Sequence, residues 1–288
     1  MFVLDNMVYI SAVDKCIKFN SQGNFEKIID STEGGSFENA TLYPLENGKV
    51  AAITYEEDGV YASYVDLESG VFSQKGKLPG TSYEYSVYSA IGYDLYLVNS
   101  YGVFGYNVGD EDKTQLMNYI DSDLGVYSVF NIVPLDENSF FASYDDMETY
   151  EMTVGKFTKV PPEEVIDKVP LTLACAGMDW NVRSAVVAFN KSNERYRILV
   201  EDYSSLYGNE NDYMAGINRL NADIIAGKIP DILLISSGMP VDSYISKGLL
   251  ADLKPYIEAD EELDINDYMP NIIEAYSVDG KMYRLVPA

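Results

Sequence analysis

Apolar and aromatic residues recur at every second position through the first half of the chain. Val60-Tyr61-Ala62-Ser63-Tyr64-Val65, Val103-Phe104-Gly105-Tyr106-Asn107-Val108 and Tyr150-Glu151-Met152-Thr153-Val154 show the alternation. A period of two places side chains on opposite faces of a pleated strand and predicts half-buried β-structure. Shorter apolar runs precede these segments: Val8-Tyr9-Ile10-Ser11, Val50-Ala51-Ala52-Ile53-Thr54, Leu95-Tyr96-Leu97-Val98 and Phe140-Phe141-Ala142-Ser143-Tyr144. Turn formers such as Ser21-Gln22-Gly23, Asn47-Gly48, Asp58-Gly59 and Ser69-Gly70 separate them.

The pattern repeats. Tyr43-Pro44-Leu45-Glu46-Asn47 resembles Val133-Pro134-Leu135-Asp136-Glu137-Asn138, and the prolines lie 90 residues apart, twice a unit of about 45. Tyr88-Ser89-Ala90-Ile91-Gly92 occupies the midpoint without a proline. Four short strands in about 45 residues is the arithmetic of a β-propeller blade. Three blades read as nearly complete, and the first lacks its opening strand. Gly70-Val71-Phe72 and Gly155-Lys156-Phe157 are expected to open the last strands of their units. An incomplete ring would leave a raw sheet edge, so the chain is expected to begin inside a longer protein. The many tyrosines of this half are read as strand-forming aromatics rather than a ligand surface.

After residue 160 the period changes. Val160-Pro161-Pro162-Glu163-Glu164 suits an extended spacer, and the linker is set at residues 161–168. Val169 to Ala174 reads as a buried parallel strand. Val182, Ala185, Val186 and Phe189 then recur at helical spacing, from about Asn181 to Lys191, with Asp179 or Asn181 as the cap. Tyr196-Arg197-Ile198-Leu199-Val200 is a second strand and Asp202 to Gly208 a polar loop. A second helix runs from about Tyr213 to Ala226, ended by Gly227. Asp231 to Ile235 is a third strand, and Val241 to Ser246 a third helix. Strand alternating with helix dictates parallel pairing through right-handed crossovers. The fold class is therefore multidomain, β then α/β: propeller-like repeats over 1–160, a linker over 161–168 and an α/β unit over 169–288.

In open parallel sheets ligands bind beyond the carboxyl ends of the strands. That rule selects Met178, Asp179, Trp180, Tyr203, Ser204, Ser236, Ser237 and Met239 as candidate ligand-binding residues. Trp180, the single tryptophan, has an aromatic face suited to stacking on a sugar, and hydroxyl and carboxylate neighbours could read its polar edge. For each there is a plain structural alternative: Asp179 as a helix cap, Met239 as filler, Trp180 as a packed aromatic.

Composition narrows the chemistry. The 288 residues carry 46 acidic and 20 basic side chains, a formal charge of −26, and no histidine. Such acidity argues against nucleic acid, whose phosphates are met by Lys and Arg, and against an anionic membrane face. The absence of His excludes a Ser-His-Asp triad and the commonest zinc ligand. No catalytic residue, metal ligand or cofactor is expected, and a hydrolase is disfavoured. The run Glu258 to Asp264 lacks the fixed spacing of a calcium loop. Cys16 and Cys175 read as two buried thiols. Leu171-Thr172-Leu173-Ala174-Cys175 superficially matches a lipoprotein cleavage box but lies mid-chain, with no signal segment before it.

Four segments in order carry a family resemblance. Ala185-Val186-Val187-Ala188-Phe189-Asn190-Lys191-Ser192-Asn193 resembles the opening helix of bacterial extracellular solute-binding proteins of the sugar-binding type. Gly227-Lys228-Ile229-Pro230-Asp231-Ile232, Lys247-Gly248-Leu249-Leu250-Ala251-Asp252-Leu253 and Asp279-Gly280-Lys281-Met282-Tyr283-Arg284-Leu285-Val286-Pro287 resemble later segments of that family. The resemblance implies a periplasmic-binding-protein-like α/β lobe, the second lobe lying beyond Ala288. It implies an ABC-importer component that captures a small solute, a sugar or oligosaccharide, and hands it to permease subunits. The implied location is extracellular, as a cell-surface lipoprotein of a Gram-positive-type bacterium. One lobe alone would bind its solute weakly or not at all. The alternative is a non-transport surface interaction protein whose propeller-like half binds a protein or polysaccharide partner.

Overall fold

The computed structural model describes residues 1–80, 85–146, 149, 151–161, 164, 168–207, 214–260 and 270–285. The first half is a four-bladed β-propeller-like array of antiparallel sheets. Blade 1 comprises β1 (Phe2–Leu4), β2 (Met7–Ser11), β3 (Lys15–Phe19) and β4 (Phe25–Asp30). Blade 2 comprises β5 (Ala40–Pro44), β6 (Val50–Glu56), β7 (Gly59–Asp66) and β8 (Val71–Lys77). Blade 3 comprises β9 (Ser86–Ser89), β10 (Leu95–Val98), β11 (Gly102–Tyr106) and β12 (Thr114–Asn118). Blade 4 has three strands, β13 (Val129–Asp136), β14 (Ser139–Asp146) and β15 (Glu151–Thr158).

Blade packing explains why the central strands read as unbroken apolar runs. In β6, Val50 and Ala52 face blade 1, where they join Tyr9, Cys16 and Ile29. Ala51 and Ile53 face blade 3 and join Leu95, Leu97 and Phe104. In β10 the division repeats: Leu95 and Leu97 face blade 2, while Tyr96 and Val98 face blade 4 and meet Val129, Phe140 and Ala142. A strand buried on both faces loses its polar alternation. Among the described residues no buried cluster joins blade 4 to blade 1.

Turns are set by local chemistry. Asp66 Oδ1 accepts from the backbone N–H of Glu68 and of Ser69, closing the turn before β8. Gly70 follows at φ +71°, and a Cβ there would lie 2.0 Å from the carbonyl oxygen of Asp30, so blade 1 and blade 2 approach this closely only over glycine.

Two expectations are corrected here. Blade 1 does have its opening strand, β1, and the short blade is the last. Gly155-Lys156-Phe157 lies inside β15 rather than opening another strand, because β15 pairs with β14 without interruption from Glu151 to Thr158.

The second half is built on a parallel sheet in the order β17-β16-β18: β16 (Val169–Cys175), β17 (Tyr196–Asp202) and β18 (Ile232–Leu233). Its helices are α1 (Trp180–Ser192), α2 (Tyr203–Tyr207), α3 (Ala215–Ile225), α4 (Val241–Ser246), α5 (Lys254–Ala259) and α6 (Pro270–Tyr276). A small hairpin, β19 (Ser277–Val278) and β20 (Lys281–Met282), follows. Leu173 and Cys175 face Val186 and Val187 of α1, while Ala174 faces Ile217, Leu220 and Ile224 of α3. None of the described helices is long and apolar enough to cross a membrane.

The expected strand Asp231 to Ile235 is paired over Ile232–Leu233 alone, and the expected loop after Asp202 turns into α2. Tyr213, Gly208, most of the linker and residues 261–264 of the acidic run lie outside the described residues. The expectation of a periplasmic-binding-protein-like lobe is also corrected: strand alternates with helix, but three parallel strands, one of them two residues long, do not form such a lobe.

Candidate functional site

The residues selected at the strand tips divide between structural duties and exposure. Asp179 is the N-cap of α1, its Oδ1 accepting from Val182 N at 3.0 Å. Tyr203 is buried. Its hydroxyl donates to Asp223 Oδ2 at 3.0 Å and accepts from Lys228 Nζ at 3.2 Å. Met239 is buried with Tyr203, Leu220 and Tyr244, and its sulfur accepts from Ser236 N. Met178 is half-buried against the α1 core. Ser204 and Ser236 are half-buried, and Ser237 is exposed.

Asp202, which sequence reading passed over, gathers two of these loops. Its Oδ1 accepts from Gly177 N after β16 and from Ser204 N after β17, both at 3.0 Å. The tips therefore converge as the parallel topology dictates, but their larger side chains point into packing.

Trp180 does not stand free. Its ring lies over Tyr127, centroids 4.4 Å apart, and Tyr127 belongs to the segment joining β12 to β13. The same segment reaches the α/β half at three more places. Ile120 packs in the α1 core. Arg197 forks onto Asp123, Nη2 to Oδ1 at 2.9 Å and Nη1 to Oδ2 at 3.3 Å, and also donates to the Asp121 carbonyl. Arg183, on the first turns of α1, is buried with its guanidinium carbon 5.8 Å from the Tyr119 ring centroid. Burial holds the Arg183 pKa below the usual arginine range. The expected sugar-stacking aromatic is thus part of a junction between the two halves.

Two exposed apolar sheet faces belong to the propeller-like half. In blade 4, cross-strand partners Val133 and Phe141, together with Phe130, Val154 and Met152, share one face. Phe140, Ala142 and Phe157 share the other, which packs on blade 3. Val154 is 68% exposed and Met152 70%. In blade 1, Ile10, Ile17 and Ile28 align across three strands, with Val3, Phe19 and Phe25 on the same face, opposite Tyr9, Cys16 and Ile29. Phe25 is 60% exposed, and Val3 and Ile28 are also exposed. The signal for these surfaces was in the sequence: Phe140-Phe141 puts aromatics on both faces of a strand, which burial on one side alone does not require.

A cavity of about 650 Å³ lies elsewhere, along the free edge of β18, walled by Ile224, Ile229, Leu249, Leu253 and Tyr283 with Asp231 and Arg284 among its polar groups. It is lined by none of the eight strand-tip residues. Among the described residues no group of three or more acidic or cysteine side chains is placed to hold a metal ion.

No family model matches the sequence, and no curated protein matches it. Among solved structures, the crystal structure of the tricorn protease is similar at 11% identity and a TM-score of 0.33, over 52% of this chain and 16% of that one. The chain spans well under two thirds of that structure, and a likeness so slight carries no argument about fold or activity. The resemblance to extracellular solute-binding proteins is corrected by these results. Its motif residues are accounted for by local geometry. Asn190 bonds both backbone groups of Ile198. Asn193 Oδ1 accepts from Arg195 N and Tyr196 N. Asp231 accepts from Thr172 N, and Asp252 from Lys254 N and Met282 N. Asp279 and Gly280, both at positive φ, turn the β19–β20 hairpin. Any chain with these turns gains from the same residues.

Proposed function

We propose that this chain is a non-catalytic interaction protein whose propeller-like half binds a protein partner through the free faces of blades 1 and 4. The observation that carries the reading is the pair of exposed apolar sheet faces at the two ends of the blade array. A contiguous exposed apolar patch marks an interaction surface. Valine, isoleucine, phenylalanine and methionine on a flat sheet suit an apolar protein surface better than a polysaccharide, which needs hydroxyl-reading polar groups. The α/β half is fastened to the array by Trp180, Arg183 and Arg197 and would orient it, displayed outside the cell.

The test is binding of a hydrophobic-surface dye by the folded chain at low protein concentration, beside affinity electrophoresis through a polysaccharide panel. The expected result is saturable dye binding that Phe141→Asp with Val154→Asp weakens, and no retardation by polysaccharide. Retardation by a polysaccharide with no dye binding would overturn it.

Capture of a small solute, such as a sugar, at the strand tips is a second reading. It is supported by the gathering of the Gly177 and Ser204 loops on Asp202 beside the exposed Ser237. Calorimetry with a sugar panel tests it, and a saturable heat lost in Asp202→Ala would favour it over the first.

A further inference from the structure

Arg183 is the one buried cation among the described residues, 9% exposed. It lies on the first turn of α1, and a helical side chain leans towards the N-terminus of its own helix. Its guanidinium is therefore enclosed where the start of α1 meets the segment joining β12 to β13, beside the Tyr119 ring. Arg197 and Arg219 are each paired with a carboxylate, Asp123 and Asp223. Among the described residues no carboxylate forms an ion pair with Arg183, and its Nε is buried without a hydrogen-bond partner. Asp202 reaches it through its field alone, and the Asp202 Oδ1 is already engaged by Gly177 N and Ser204 N. The Tyr119 hydroxyl accepts from Val129 N, so that residue offers the cation its ring, centroid 5.8 Å away. A chain with 46 acidic side chains thus encloses one cation and gives it no close counter-charge. An ion taken out of water on those terms is costly.

We propose that the junction between the two halves binds a compact inorganic anion, of the chloride type, against the Arg183 guanidinium, and that this ion completes the fastening of the α/β half to the blade array. A water molecule could accept the Nε–H but would leave the charge uncompensated. A guanidinium is weakly hydrated and presents a planar fork of donors, which suits an enclosed anion. The positive end of the α1 dipole lies on the same turn. Packing sets the size of the ion. Tyr119 is fully buried and Trp180 rests on Tyr127 at 4.4 Å, so an extended ligand finds no room between these rings. Burial holds Arg183 below the usual arginine range, and a negative charge beside it acts in the opposite direction. Separation of the halves returns Arg183 to water, where it needs no ion. The anion therefore binds the joined state alone and stabilises it by mass action. The Trp180–Tyr127 and Arg197–Asp123 contacts close on either side of it.

Replacing sodium gluconate stepwise by sodium chloride at constant ionic strength, on the full chain, tests the proposal, because gluconate is too large for the enclosure. Trp180, on the same turn of α1 as Arg183, reports the junction through its emission. The expected result is a saturable change in that emission and a urea midpoint that rises with chloride and levels off. Arg183→Met, similar in length and uncharged, is expected to abolish both responses. In gluconate it should match or exceed the wild-type midpoint, because no buried charge remains, and in chloride it should fall behind. If circular dichroism shows Arg183→Met misfolded, chloride NMR line broadening by the native wild type carries the test. That broadening is expected to saturate and to vanish on denaturation in urea. Emission and midpoint indifferent to chloride, equal responses in the wild type and Arg183→Met, or a chloride line that the native chain does not broaden saturably would each overturn the inference.

Discussion

The indole of Trp180 lies on the phenol ring of Tyr127, 4.4 Å between centroids, and joins residues 53 positions apart across the two halves of the chain. Aromatic pairs of this kind contribute about 0.5–1.5 kcal/mol beyond their buried area. Trp180 is the sole tryptophan, so its emission reports this contact alone. Tyr127→Ala is expected to move the emission to the red and to cost about 1 kcal/mol. Arg197→Ala, which removes the fork onto Asp123, should do the same to emission from a distance by loosening the junction. An unchanged spectrum in both variants would mean that the junction does not exist in solution.

Asn190 is fully buried and closes α1 onto β17, donating from Nδ2 to Ile198 O at 2.9 Å and accepting from Ile198 N at 2.7 Å. Asn190→Ala strands both backbone groups without water. The expected loss is about 2–4 kcal/mol. Asn190→Asp keeps the acceptor but turns a second oxygen towards Ile198 O, and should be at least as damaging. Urea denaturation midpoints measure both, and a loss below half a kcal/mol would place Asn190 outside the core.

Cys16 and Cys175 are buried and unpaired. Burial, aided by the neighbouring Asp202 charge, pushes the Cys175 thiol up to about 12, and burial also raises Cys16. A thiol so protonated and enclosed is a poor nucleophile. A thiol reagent is expected to find neither cysteine in the native chain at neutral pH and both after denaturation. Rapid native labelling of either would contradict the packing of β3 or β16.

Asp66 gives a pH prediction with a fixed sign. The backbone N–H groups of Glu68 and Ser69 hold its carboxyl below the usual carboxylate range. A group lowered on folding contributes stability above its unfolded pKa, near 3.9, and loses it as pH falls through the lower folded value. Asp66→Asn should therefore destabilise the chain at neutral pH, by an amount that shrinks in acid below about pH 4. Urea midpoints of both proteins across that range check this, and a difference independent of pH would contradict it.

Much of this fold was legible in the residue pattern. The runs at Val50 and Leu95 mark central strands buried on two sides, and the alternation after Val60 and Val103 marks their partners. The parallel strands and α1 followed from the apolar spacing around Val186. What the pattern could not supply was which neighbour each face meets. Trp180 reads as a ligand platform from its place at a strand tip, and only three-dimensional packing puts Tyr127 over it. Phe141 and Val154 read as strand residues of a half-buried sheet, and only the packing of the array shows that their face is the open one. The four ordered motifs misled for a related reason: Asn190, Asp231, Asp252 and Gly280 answer to local turn and cap geometry, which unrelated chains share. The short last blade was hidden because β15 continues through Gly155, where a turn was expected.

Oxidative footprinting of the full chain, alone and with protein added, probes the end faces directly. Met152 and Phe25 are exposed on the two faces, and Tyr256, exposed in the α/β half, serves as the internal reference. The account predicts that Met152 and Phe25 are oxidised readily in the chain alone and are protected together by a bound protein partner while Tyr256 is unchanged. Met152 and Phe25 oxidised at the same rate throughout, with no added protein able to protect them, would contradict it.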